Sequence, residues 1–163
     1  MRNKKVLFVA QAALIAAIYV VLTYFISAFN LASGAIQVRI SEALTILPMF
    51  TPAAIPGLTI GCFLSNLMTG CLPMDVLFGS LATLLGAVGS YLLRRYKWLV
   101  PLPPVIANTL IVPFVLAYVY GAEGTIPFFM LTVGIGEIIS CYVLGSILLN
   151  ALLPYRNIIF KND

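Results

Sequence analysis

Histidine is missing from this chain of 163 residues, and charge is scarce: nine lysines and arginines with five aspartates and glutamates, 9% of the sequence. The three cysteines, Cys62, Cys71 and Cys141, stand singly in apolar sequence without a CxxC spacing. With neither histidine nor paired cysteines there is no zinc-ligand pattern and no disulfide framework, so no metal site is expected and the thiols read as small buried hydrophobes. A GxxxxGK[ST] phosphate loop is absent too, so active transport here would have to draw on a partner or an ion gradient. The basic residues fall in three short clusters rather than along one aromatic-studded face, which argues against nucleic acid. There is no internal repeat and no low-complexity tract, and the stub after Pro154 is too short to form a domain.

What the chain does contain is apolar sequence. It is 62% hydrophobic, with a mean hydropathy of +1.09, far outside the range of soluble folds. The expectation is one all-α integral membrane domain over residues 1–163. The first apolar run is too long, and too closely followed by others, to be only a cleaved signal, so a retained N-terminus is expected. Charges, prolines and glycines punctuate the sequence into six spans: Val6 to Phe29, Ser41 to Phe50, Ile55 to Gly70, Val76 to Leu93, Leu102 to Tyr120 and Ile126 to Leu153. The run from Ala43 to Pro73 would reach roughly 47 Å as one helix, against a hydrocarbon core of about 30 Å. Pro48, Pro52 and Pro56 favour two short helices turning around Thr51 to Ile55.

Charge placement supports the count of six. With Arg2, Lys4 and Lys5 inside, six spans also keep Arg94, Arg95, Lys97, Arg156 and Lys161 inside, whereas five would export the last five. Both termini are then cytoplasmic, and Arg39 is the lone outer cation. The outer side also carries Glu42, Asp75 and Glu123, a mildly acidic face suited to a cationic solute.

Charge held among apolar surroundings is costly and marks candidate sites. The densest cluster is Gln37-Val38-Arg39-Ile40-Ser41-Glu42. Ser41 and Glu42 could serve only as helix cap and dipole partner, but that leaves Gln37 and Arg39 without a role. The alternative is an outer loop folded over a pocket, with Gln37 and Arg39 lining it and Glu42 pairing with Arg39 or with ligand. Glu137 lies roughly 16 Å below Ile126 by helical rise, where a carboxylate costs about 2.5 to 3.5 kcal/mol on insertion scales and calls for a polar partner. Asn108, about 18 Å deep on the fifth span by the same rise, can sit at that level. Asn66 could roof the same cavity or simply end its helix, and Asp75 could attract a cation or cap the fourth helix.

Ala12, Ala13, Ala16 and Ala17 give two overlapping small-xxx-small pairs on the first span, and Gly57 with Gly61 gives another on the third. Such faces serve internal packing or partner docking. Taken together, these residues point to a ligand-capturing membrane protein with no catalytic residues. A self-sufficient proton-coupled secondary transporter, with Glu137 as carrier, is the first alternative. An intramembrane enzyme using Glu42 and Glu137 as an acid/base pair is disfavoured by the missing histidine, nucleophile motif and metal ligands.

The run Gln37-Val38-Arg39-Ile40-Ser41-Glu42-Ala43-Leu44, with Pro56-Gly57-Leu58, Gly61-Cys62, Asn66, Asp75, Pro103-Pro104, Asn108 and Gly136-Glu137, resembles the QueT family over nearly the whole chain. These are substrate-binding S components of energy-coupling factor (ECF) transporters associated with a queuosine precursor. The resemblance implies a six-helix bundle that captures ligand outside and docks on a transmembrane coupling subunit with two cytoplasmic ATPases. It implies a coupling-subunit contact at Ala12, Ala13, Ala16 and Ala17, and no cofactor on this chain, with ATP used by the partners. The implied ligand is a 7-deazaguanine such as 7-aminomethyl-7-deazaguanine. Glu137 would take the guanine edge and Glu42 or Asp75 the ammonium, with Gln37, Asn66 and Asn108 completing the polar shell.

Overall fold

The computed structural model describes residues 4–28 and 38–160, and within them the chain is helical with no strand. Helix α1, Lys4–Ala28, is an apolar run free of proline and glycine. A 3₁₀ helix, Ile40–Met49, follows, then α2, Ala54–Met68, α3, Pro73–Leu92, and α4, Leu102–Tyr118. The last passage is composite: α5, Ile126–Glu137, a π-helical segment, Ile138–Leu144, and α6, Gly145–Leu152. A short tail, Leu153–Ile159, completes the helical structure. Lys4–Ala28, Pro73–Leu92 and the composite Ile126–Ile159 are long and apolar enough to cross a membrane, and three shorter apolar helices lie between them.

Six passes were expected, and six helical passages are present, with boundaries shifted by a few residues. The difference lies in type. The second passage is a 3₁₀ helix rather than a short α-helix. Ten residues in 3₁₀ geometry rise about 20 Å, against about 15 Å as α-helix, so a segment confined between Arg39 and the Thr51 turn gains reach. Such a long 3₁₀ run is uncommon on its own. This one touches α1, α2, α3, the π segment and α6, and its residues Ser41 to Pro48 are all buried. An element buried on every side belongs at a bundle centre.

Around that axis, α1 to α5 pack as sequential neighbours. Lipid tails are as apolar as leucine, so close backbone approach contributes more here than hydrophobic transfer. Glycines make that approach possible. A Cβ on Gly57 would lie 2.8 Å from the Ala12 carbonyl oxygen, and one on Gly61 would lie 2.8 Å from the Tyr19 Cβ. On the other side, Gly86 and Gly89 of α3 receive Pro104 and Pro103 of α4, with would-be contacts of 2.8 and 2.5 Å. Prolines in the first turn of α4 lose no helical hydrogen bond, because those amides have no intrahelical partner.

The two ends of the bundle differ chemically. Thr51 donates to Gln11 near the start of α1 at 3.0 Å, and Thr51, Pro52, Tyr91, Arg94 and Arg156 wall one cavity at that end. The opposite end gathers Ser27, Arg39, Thr69, Asp75 and Tyr120 around another. The antiparallel alternation that charge placement suggested is therefore present in the packing.

Candidate ligand site

The cavity at the Arg39 end has a volume of about 370 Å³, within the range of small-molecule sites. Three expected residues, Arg39, Asn66 and Asp75, line it. Asp75, in the first turn of α3, does not cap that helix: Leu72 is the N-cap, without a side-chain cap bond. Its carboxylate instead accepts from the Tyr120 hydroxyl at 2.7 Å, and the Tyr120 oxygen accepts from the Leu72 amide at 3.3 Å. Burial and the bond to Asp75 both raise the Tyr120 pKa, so the phenol stays a neutral donor. Asn66, two residues before the end of α2, is 4% exposed in the cavity wall. Gly79 leaves it room, since a Cβ there would come 3.0 Å from the Asn66 amide nitrogen and 3.6 Å from an Asp75 oxygen.

Glu42, Asn108 and Glu137 are absent from that lining and form a second, closed group. It lies one helical turn further in, roughly 6 Å: Tyr19 sits below the lining residue Thr23 on α1, and Asn108 below Val112 on α4. The Tyr19 hydroxyl donates to Glu42 Oε1. Asn108 and the Glu137 carboxylate are side-chain neighbours, so the two residues placed at one depth by helical rise are brought together. The Cys141 thiol donates to Glu137 Oε2 at 3.4 Å and lies 3.7 Å from the Glu42 carbonyl oxygen. Carboxylate oxygens of Glu42 and Glu137 and the Cys141 sulfur all fall within 4.8 Å of one another.

Among the described residues, one buried atom in this group has no hydrogen-bond partner, Glu42 Oε2. An orphaned buried acceptor costs about 1 to 3 kcal/mol until a donor reaches it, more when charged. Glu42, Glu137 and Cys141 could offer ligand atoms to a cation, but the Arg39 guanidinium already acts electrostatically on both carboxylates. Because Arg39 also lines the outer cavity, it links the two layers.

Glu42 does lie in the first turn of the 3₁₀ helix, where a carboxylate suits the dipole, but Ser41 does not cap it. Arg39 is the N-cap of the 3₁₀ helix and makes no side-chain cap bond. Ser41 accepts from the Thr23 hydroxyl at 2.8 Å, and the Glu42 carboxylate turns to Tyr19. The Arg39 amide is tied instead to the Ser140 hydroxyl at 3.1 Å, within the π segment, and that hydroxyl donates to the Gly136 carbonyl at 2.8 Å. The wider π turn thus directly follows Glu137 and holds the start of the 3₁₀ helix. π turns recur at functional sites. Gln37 lies outside the described residues. Tyr19 and Tyr120 escaped sequence reasoning because a tyrosine in or beside an apolar helix has no signature separating it from an interfacial one.

The four alanines divide. Ala12 and Ala16 face α2, under Gly57 and Gly61, whereas Ala13 and Ala17 are exposed on the outer face of α1. Only 22% of the apolar window of α1 is buried, against 50% for α3. The first helix therefore keeps a broad uncovered flank.

A family model described as QueT transporter matches residues 9–154. A curated relative, the Queuosine precursor transporter QueT of Lactococcus lactis subsp. cremoris (strain MG1363), is 35% identical over 98 residues, 60% of this chain and 57% of that protein. The match thus spans a little over half the length of the relative. No solved structure matches the chain.

Proposed function

The chain belongs to the QueT transporter family, a multi-pass protein of the cell membrane, and on that premise we propose that it captures a 7-deazaguanine queuosine precursor for an ECF-type importer. The named relative supports the ligand class, since it is a queuosine precursor transporter by name. The observation that carries the reading is the two-layer polar site: a cavity of about 370 Å³ over a closed group in which Asn108 lies beside Glu137 and Glu42 Oε2 has no donor among the described residues. A guanine edge presents adjacent N–H donors that one carboxylate accepts together, and an aminomethyl substituent adds a cation. Glu137 takes the guanine edge. Glu42 takes the ammonium in preference to Asp75, whose oxygen is already engaged by Tyr120. Arg39, Asn66 and Asp75 receive the ligand first, and displacement of the Arg39 side chain opens the inner layer.

In this reading the chain catalyses no reaction and holds no cofactor of its own. A transmembrane coupling subunit and two ATPases consume ATP and return the loaded bundle to the cytoplasmic side. The exposed pair Ala13 and Ala17 is the docking face, while Ala12 and Ala16 hold α1 to α2. Both termini and the basic end face the cytoplasm, in keeping with the positive-inside rule.

The test is mass spectrometry of ligand carried through purification, followed by binding to Glu137→Gln. An amide replaces an acceptor-only group with one that also donates, so affinity should fall at least about tenfold, about 1.4 kcal/mol. Unchanged affinity would remove Glu137 from the site. The adjacency of Glu42 and Glu137 favours one competing reading, proton-coupled transport by this chain alone. Liposomes containing only this chain would then accumulate ligand under a proton gradient, whereas the ECF reading requires that they do not.

A further inference from the structure

At the end opposite the ligand cavity lies a second chamber of about 650 Å³, walled by the Pro48–Pro52 turn, Tyr91, Arg94, Arg156, Asn157 and Phe160. Among the described residues, its two guanidiniums have no carboxylate in the wall. Among the described residues the acids are Glu42 and Glu137 in the inner ligand group, Asp75 in the outer cavity wall, and Glu123 in the loop after α4. Arg94 is held over the Tyr91 ring, 4.0 Å from its centroid. Two guanidinium forks lining one chamber, with no anion among its described wall residues, suit phosphate oxygens.

A long apolar groove adjoins this chamber. It occupies about 770 Å³ between α1 and α6, with the 3₁₀ helix as its floor, and its wall includes Leu7, Leu14, Ile18, Leu47, Ile147 and Leu152. Phe160 lines both spaces and stacks on Phe50 with ring centroids 5.3 Å apart. From Leu7 to Leu22, the stretch of α1 along the groove rises roughly 22 Å, more than half of a hydrocarbon core of about 30 Å. Trp98 and Tyr96 are 67% and 63% exposed in the α3–α4 connection that carries Arg94, a position typical of aromatic anchors at the headgroup level.

We propose that the chamber and groove together form a binding site for an anionic phospholipid, its phosphate between Arg94 and Arg156 and one acyl chain lying between α1 and α6. Charge complementarity selects the occupant. A zwitterionic headgroup brings an ammonium into a space that already holds two cations, whereas a phosphatidylglycerol-type headgroup brings only negative charge. The site is distinct from the ligand cavity and does not depend on what that cavity binds.

The test uses full-length protein in detergent, offered equal amounts of phosphatidylglycerol and phosphatidylcholine and read by native mass spectrometry. Retained phosphatidylglycerol should exceed phosphatidylcholine by roughly thirtyfold, the scale expected for two basic groups near a charged headgroup. Arg94→Gln with Arg156→Gln should abolish the preference, and Arg95→Gln, which lies outside the wall, should preserve it. If the double variant fails to fold, Arg156→Gln alone should reduce the preference. Equal retention of the two lipids by the unaltered protein, or an unchanged preference in the variants, would overturn the proposal. So would competition by glycerol phosphate or a short acidic peptide as effective as that of the lipid, which would assign the chamber to a soluble anion or a protein partner.

Discussion

Tyr19 shows how much one hydroxyl can organise inside an apolar bundle. It is 1% exposed and supplies the donor to Glu42 Oε1, while Glu42 Oε2 has no partner among the described residues. Replacing it by phenylalanine keeps the ring and its packing but strands the second oxygen as well. A hydrogen bond to a charged group contributes about 1.5 to 3 kcal/mol, so Tyr19→Phe should lower unfolding stability in detergent by that amount. In a double-mutant cycle with Glu42→Gln, much of that loss should vanish; strictly additive losses would mean that the bond contributes nothing specific. Nothing in the sequence distinguishes Tyr19 from Tyr24, which is 58% exposed five residues later on the same helix. Glu137 and Asn108 were easier to read, because a carboxylate or amide deep in a span must find a partner and helical rise converts residue number into depth.

At the scale of elements, α1 carries two faces that the spacing of its alanines alone could not separate. Ala16 touches the would-be Cβ position of Gly61, and Ala13 is exposed, although both belong to small-xxx-small pairs. Ala16→Leu should therefore push α1 from α2 and cost about 1 to 3 kcal/mol of stability, the usual range for overpacking. Ala13→Leu should leave stability and ligand affinity unchanged and reduce uptake by the assembled transporter. Equal loss of affinity in both variants, measured beside thermal unfolding, would make the exposed face part of the core. The 3₁₀ and π segments were not legible for a related reason. Proline and glycine positions announced an interruption near Thr51, but no local propensity specifies which helical pitch a buried segment adopts when its neighbours set the distance to be spanned.

Across the whole molecule, a basic end and a polar, partly acidic end stand opposite each other, and the proposed capture mechanism needs the polar end outside. On a Cys71→Ser background, Glu123→Cys should react with a membrane-impermeant maleimide in intact cells, and Lys97→Cys only after permeabilisation. The reverse pattern would turn the ligand cavity toward the cytoplasm and end the capture mechanism. Six passages, their alternation and the shared level of Asn108 and Glu137 follow from the sequence alone, since apolar run length, charge placement and helical rise act along the chain. What the tertiary structure decided is rotational. It placed Asn66 and Asp75 in an open cavity, closed Glu42, Asn108 and Glu137 beneath it, and divided the alanines between core and surface. Rotation about a helix axis is set by the glycine contacts, the 3₁₀ axis and the π turn acting together, and those forces exist only once the helices have met.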